Sequence, residues 1–253
     1  MTVQDLIAAL ELPASCRVDQ RIPKKLLVEN GAPTAADKRN ITEGIEEIQW
    51  VASLKPSTIG VPEYRDETRE YLEIAVLHIA LRQDAKAARI AELTHRAVPY
   101  PILLLLTAQD KLILSMAHIR WAQNEAGKVV LDGESVAVTL NETTPAPEVF
   151  SAFLQALSIT HQPRENLMVL YQGWLDTLAA FQAAQITGAF TQSQTDEQAA
   201  ARRVSLRECR EIERQITALR AAAAKEKQLA RQVALNLEIK QLQARQQQAS
   251  ALL

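Results

Sequence analysis

The stretch THRAVPYPILLLLTAQDKLILSMAHIRW, residues 94–121, decides the fold. Two prolines bracket Tyr100, five aliphatic residues follow, and a second apolar run ends at His118, Arg120 and Trp121. Such a run can be a membrane segment, a chemical site or the middle of a sheet. Its uninterrupted apolar part is 101–106. A spanning helix needs roughly 20 apolar residues, so this is no transmembrane segment. It is also too uniformly apolar for a strand with one wet face, whereas a strand covered on both faces has this composition. Pro99 and Pro101 hold the approach extended. AQDK (108–111) then reads as a turn, LILSMAHIRW (112–121) as a second strand, and KVVLDG (128–133) as a short third one.

Working outward, ADKRNITEGIEEIQWVASL (36–54) reads as a helix running into a strand. KPSTIGVPEYRDETRE (55–70) has two prolines, a glycine and little periodicity, which predicts a loop. YLEIAVLHIAL (71–81) alternates at its start and fits a strand. DAKAARIAELTHRA (84–97) is a helix, with Asp84 as its expected cap and a stop before Pro99. Strand, helix, then further strands predict an α/β (or α+β) domain built on a mixed sheet. From 147 to 184 apolar residues recur at three and four, including Phe150, Phe153, Leu154, Leu170, Trp174 and Leu178. That is the stripe of helices packed on a core.

Punctuation and charge change towards the C-terminus. All ten prolines lie within 13–163, all seven glycines within 31–188, and the last aromatic is Phe190. From Asp196 onward there are 11 Lys/Arg against 7 Asp/Glu, a net of +4; since the chain is −2, residues 1–195 carry −6. An acidic body with a basic arm hints at a partner for the arm. The expected organisation is an α/β domain over 1–145, a helical region over 146–190 and a long helical or coiled-coil tail over 191–253. As one continuous helix, the stretch 196–248 would span about 80 Å. Cys209, Ile212, Ile216 and Leu219 keep an a/d rhythm. The phase shifts through AAAAKEKQ (221–228), then resumes at Leu235, Ile239 and Leu242, with Val233 and Leu237 on a neighbouring face. The shift reads as a bend, a stutter or the turn of a helical hairpin. A polar helix with a narrow apolar seam needs cover from its own body, a second copy or a different protein.

No nucleotide-binding, hydrolase, zinc-protease or kinase motif occurs, and seven glycines leave little for a phosphate-cradling loop. Cys16 and Cys209 stand far apart and read as two reduced thiols, with no zinc-type spacing. The N-terminal MTVQDLIAALELPAS (1–15) is a short amphipathic helix that lacks the basic and apolar regions of a signal peptide. A cytoplasmic protein without a cofactor is expected. The enzyme class worth weighing is a divergent metal-dependent nuclease using Asp66, Glu67, Glu70 and Glu73. Glu73 is followed by IAVLH rather than a Glu-x-Lys arrangement, so an acidic loop is the plainer reading. His95 and His118 form one conceivable pair, against which stands His95 as a charge at a helix C-terminus. His78 reads as a core histidine and His161 as part of a polar loop. Lys24, Lys25, Lys55, His95, Arg96, Lys111 and Arg120 flank predicted strand ends. Gathered on one rim they would contact phosphates or a protein; scattered, they are ordinary surface charge. Few aromatics accompany them, which counts against a base-stacking single-strand binder.

IPKK (22–25) with a downstream DK (37–38), IQWVASLKPSTIGVP (48–62), EYLEIAVL (70–77), HRAVPYPILLL (95–105), LSMAHIRW (114–121) and KEKQLARQVALNLEIKQLQ (225–243) together resemble an uncharacterised bacterial family catalogued as a domain of unknown function. The resemblance runs from about residue 20 to 245. It places Arg21 to Lys25, Lys55, Pro56, His95, Arg96, Pro99 and Tyr100 at the family's recurring positions, and departs from it at Leu72, where a proline is expected. Members of the family are met beside genes for superfamily-two helicases and DNA methyltransferases in restriction-like, phage-defence clusters. The resemblance therefore implies a DNA-directed defence role and supplies no catalytic residues. It points to an accessory subunit whose tail contacts a helicase or methyltransferase or a second copy, with direct DNA contact as the alternative.

Overall fold

The computed structural model describes residues 1–253 except Asp110, Asn124, Ala126 and 141–145. Its first helix, α1 (Val3–Ala9), is closed by a capping box between Thr2 and Asp5. There follow β1 (Arg17–Arg21), α2 (Lys24–Gly31), α3 (Ala35–Gly44), β2 (Ile45–Leu54), the single-turn α4 (Pro56–Ile59), β3 (Tyr64–Arg65), β4 (Glu70–Tyr71) and β5 (Ile74–Leu81). The middle of the chain forms α5 (Ala87–Ala97), β6 (Ile102–Ala108), β7 (Lys111–Met116), β8 (Ile119–Trp121), β9 (Val129–Leu131) and β10 (Val136–Thr139). The rest is helical: α6 (Pro147–Ala156), α7 (Leu167–Thr187), α8 (Asp196–Lys225) and α9 (Leu229–Ser250). No helix among the described residues is long and apolar enough to cross a membrane.

Six strands form one mixed sheet in the order β1-β2-β5-β6-β7-β10. Only β5 and β6 run parallel; every other neighbouring pair is antiparallel. A parallel pair needs a crossover, and α5 supplies it. Residues Ile102 to Leu106 are all buried, as their composition predicts. Ile102, Leu104 and Leu106 join Leu77 and Ile79 in a core closed by Leu27 of α2, Ile41 of α3 and Ile90 and Leu93 of α5. Leu103 and Leu105 alternate to the opposite face and are equally buried. The mixed α/β class is therefore that read from the sequence. Helices α2 and α5 come so close that a Cβ on Gly31 would lie 2.6 Å from Ala97 Cβ.

Several local expectations are corrected. The predicted loop 55–70 contains α4 and the small β3–β4 ladder. Asp84 does not cap α5; it sits at φ 62°, a left-handed turn residue, and the helix starts three residues later with Lys86 at its N-cap. The second strand of the opening stretch breaks after Met116. Its continuation, β8, leaves the main sheet to pair with β9. Tyr171 of α7 takes the groups at the break: its hydroxyl accepts from Ala117 N and has one proton to give, with the Ile102 carbonyl at 2.8 Å and the Ala117 carbonyl at 3.0 Å as acceptors. A side chain thus occupies the backbone groups that would have continued the ladder. The outer place beside β7 goes instead to β10, which the sequence reading passed over. The AQDK turn includes Asp110, outside the described residues.

The chain forms two compact units, Met1–Leu178 and Ala179–Leu253. In the second, the tail is a helical hairpin. Lys225 ends α8, Leu229 begins α9, and Arg245 pairs with Glu208 while Gln246 bonds Glu213, so the two helices run antiparallel. Ala179 and Ala183 at the end of α7 pack with Leu206 of α8.

Candidate functional site

The hairpin carries the surface of most interest. Residues of α9 at alternating steps of three and four, Gln232, Leu235, Ile239, Leu242, Gln246 and Ala249, are with the terminal Ser250 its less exposed positions. That is a heptad stripe, and it faces the a/d row of α8. Ile212, Ile216 and Ile239 form a buried cluster with Leu219 and Leu242 packed on it, and Cys209 is buried in the same row. The predicted seam thus finds its cover within the chain along one side. Val233 and Leu237 lie on another side of α9 and stay exposed, with Leu229 one turn earlier in line with them. The turn contains no glycine or proline. Glu226 makes it, its carboxylate accepting from the backbone of Lys227 at 2.8 Å and Gln228 at 2.9 Å.

The basic residues do not gather on one rim. Ile45 pairs with Leu81 at one end of the β2–β5 ladder and Leu54 with Ile74 at the other. Lys24 lies at the first end, donating to the Ile45 carbonyl at 2.5 Å, and Lys111 begins β7 opposite Ala108, at the same end. Lys55 follows Leu54 at the second end and pairs with Glu73 at 3.1 Å. Arg96 in the last turn of α5 and Arg120 in β8 belong to that end too; Arg96 pairs with Glu92 and Arg120 with Asp132. Lys25 is exposed on α2 beside Glu29. His95 is on no surface at all. It is 1% exposed, and its Nε2 is 3.0 Å from Ser115 Oγ, itself fully buried. Burial alone pushes its pKa down to about 3. A partner or phosphate contact through His95 is therefore excluded in this fold.

Three of the acidic residues considered for metal chemistry, Asp66, Glu70 and Glu73, have partners of their own. Asp66 Oδ1 accepts from the backbone of Thr68 and Arg69 and from the Thr68 hydroxyl, and its Oδ2 accepts from Tyr64. Those hydrogen bonds hold its carboxyl at about 2, the backbone of Thr68 leading. Glu70 faces Arg65 and Glu73 faces Lys55. Among the described residues no group of three or more His, Cys, Asp and Glu is placed to share an ion. Both cysteines are free and buried.

One polar arrangement was invisible in the sequence. His118 does not pair with His95. It stands in a chain: Tyr71 hydroxyl to His118 Nδ1, His118 Nε2 to Gln172 Oε1 at 2.8 Å, and Gln172 Nε2 to Asp176 Oδ1 at 2.9 Å. The Asp176 carboxylate only accepts, so the amide nitrogen of Gln172 faces it and the amide oxygen faces His118. That oxygen needs a donor, which places a proton on His118 Nε2; in the neutral ring Tyr71 is then the donor to Nδ1. The chain ties α7 to the start of β8. Its partners lie 47 and 54 residues apart, so no spacing in the sequence announces it. His78 bonds Thr107 Oγ1 and His161 bonds the Gln155 carbonyl.

Comparison with curated proteins and with solved structures found no match for this chain. The family model described as "Domain of unknown function (DUF4391)" matches residues 10–245, which includes the sheet, α7 and most of the hairpin. The chain belongs to the DUF4391 family.

Proposed function

We propose that the protein is a non-catalytic accessory subunit that docks on another protein through the outer face of the α8–α9 hairpin. The observation that carries this reading is the row Leu229, Val233 and Leu237, which are 74%, 51% and 57% exposed. Spaced by four, they share one side of α9 while Leu235, Ile239 and Leu242 turn towards α8. Three large apolar side chains in a row on a helix surface gain free energy only against another surface. The chain's resemblance to a family whose members are met beside helicase and DNA methyltransferase genes supports one of those enzymes as the partner, in a restriction-like anti-phage system of the bacterial cytoplasm. The alternatives, a divergent nuclease and direct DNA binding, have less geometry behind them. Asp66 is held by its own loop and Glu73 by Lys55, and the cations divide between two ends of the sheet.

The test is co-purification with the products of the neighbouring genes. Co-elution with the helicase or methyltransferase is expected, and it is lost in the double variant Leu229→Glu, Leu237→Glu while helical circular dichroism is retained. Co-elution that survives both substitutions, or none with any neighbour, overturns the reading. A dimer of the chain alone that the same variant dissolves assigns the row to self-association instead.

A further inference from the structure

A cavity of about 400 Å³ opens in the first unit between α2, the end of α5 and one face of the sheet. That is the size of a small-molecule site. Its floor is Ala75 and Leu77 of β5 and Trp50 of β2; Leu27 of α2 forms a wall, and Tyr100 and Gln20 stand at its margin. Trp50 is held in place, its indole N–H donating to the Ala52 carbonyl at 2.9 Å, so it offers an apolar ring surface with no unmet polar need. Among the described residues neither the Gln20 amide nor the Tyr100 hydroxyl is engaged in a hydrogen bond. The site therefore combines ring surfaces and apolar walls with two unengaged polar groups at its margin.

We propose that this cavity binds a nucleobase-type heteroaromatic ring, stacked on Tyr100 beside Trp50 and read along its edge by Gln20. A glutamine amide presents a donor and an acceptor side by side, which matches the paired acceptor and donor on the edge of adenine. A purely aliphatic guest would leave both groups unused. The same ring can arrive as a free nucleoside or as an unstacked base of a single strand. This inference stands apart from the hairpin reading and does not depend on it.

The test uses the full chain, ligand-observed saturation-transfer NMR and calorimetry, with adenosine and a five-nucleotide oligo(dA) as probes. Adenosine binds saturably. Tyr100→Ala weakens it roughly tenfold through lost stacking, and Gln20→Ala weakens it roughly tenfold through the lost edge contact. Gln20 is exposed on an edge strand, so that variant keeps its fold. Binding of the oligonucleotide with the same two sensitivities assigns the base to nucleic acid; adenosine binding without it assigns a free nucleoside. No saturable adenosine binding, or equal affinity in the wild type and both variants, overturns the proposal.

Discussion

His95 shows how little a residue's type says about its role. A histidine beside an arginine at a helix end looks like surface charge, yet it is sealed between α5 and β7 with Ser115 on its Nε2. Its Nδ1 has no hydrogen-bond partner among the described residues, a cost of about 1–3 kcal/mol. The fold holds the ring neutral, with a pKa near 3 against an ordinary 6.5. The unfolded chain takes up a proton below pH 6.5 and the folded one does not. Stability from this group is complete above pH 6.5 and falls as pH drops from there towards 3, by about 1.4 kcal/mol per unit. Urea titrations between pH 7 and 4.5 should show that slope. The double variant His95→Phe, Ser115→Ala, which orphans no hydroxyl, should lose one proton's worth of it.

At the scale of elements, the contact between α2 and α5 depends on one missing side chain. Glycine within a helix normally costs stability relative to alanine by roughly 0.5–1 kcal/mol, so Gly31→Ala on an open helix would stabilise. Here the new Cβ would meet Ala97 Cβ at 2.6 Å and the Leu93 carbonyl at 2.9 Å. The expected sign is reversed: a loss of about 1–3 kcal/mol, read by thermal melting. Pairing it with Ala97→Gly should recover part of the loss. The hairpin turn has the same character, because Glu226 does by hydrogen bonding what glycine or proline usually does by conformation.

Across the whole molecule, the division into two compact units predicts that damage to one stays local. Ile216 is 1% exposed in the α8–α9 cluster. Ile216→Ala should cost the hairpin about 2–5 kcal/mol. Hydrogen exchange should quicken at α8 and α9 amides and stay unchanged at β6; equal loosening of β6 would show that the units unfold together.

The sequence by itself determined what local chemistry controls. The run from Ile102 to Leu106 marked a strand buried on both faces, the prolines marked its approach, and the heptads of the tail marked an apolar seam. Its periodicities also gave the mixed α/β class. Only the tertiary structure decided which groups meet. It turned the tail into a hairpin that covers much of its own seam and buried His95. It also split the cations between two ends of the sheet and took Ala117 out of the ladder through Tyr171. Periodicity reports which side of an element is apolar, because that repeats along the chain. Contacts such as Tyr71 with His118, or Trp50 and Tyr100 around one cavity, join residues distant in sequence, and they exist only once the sheet has fixed their distances.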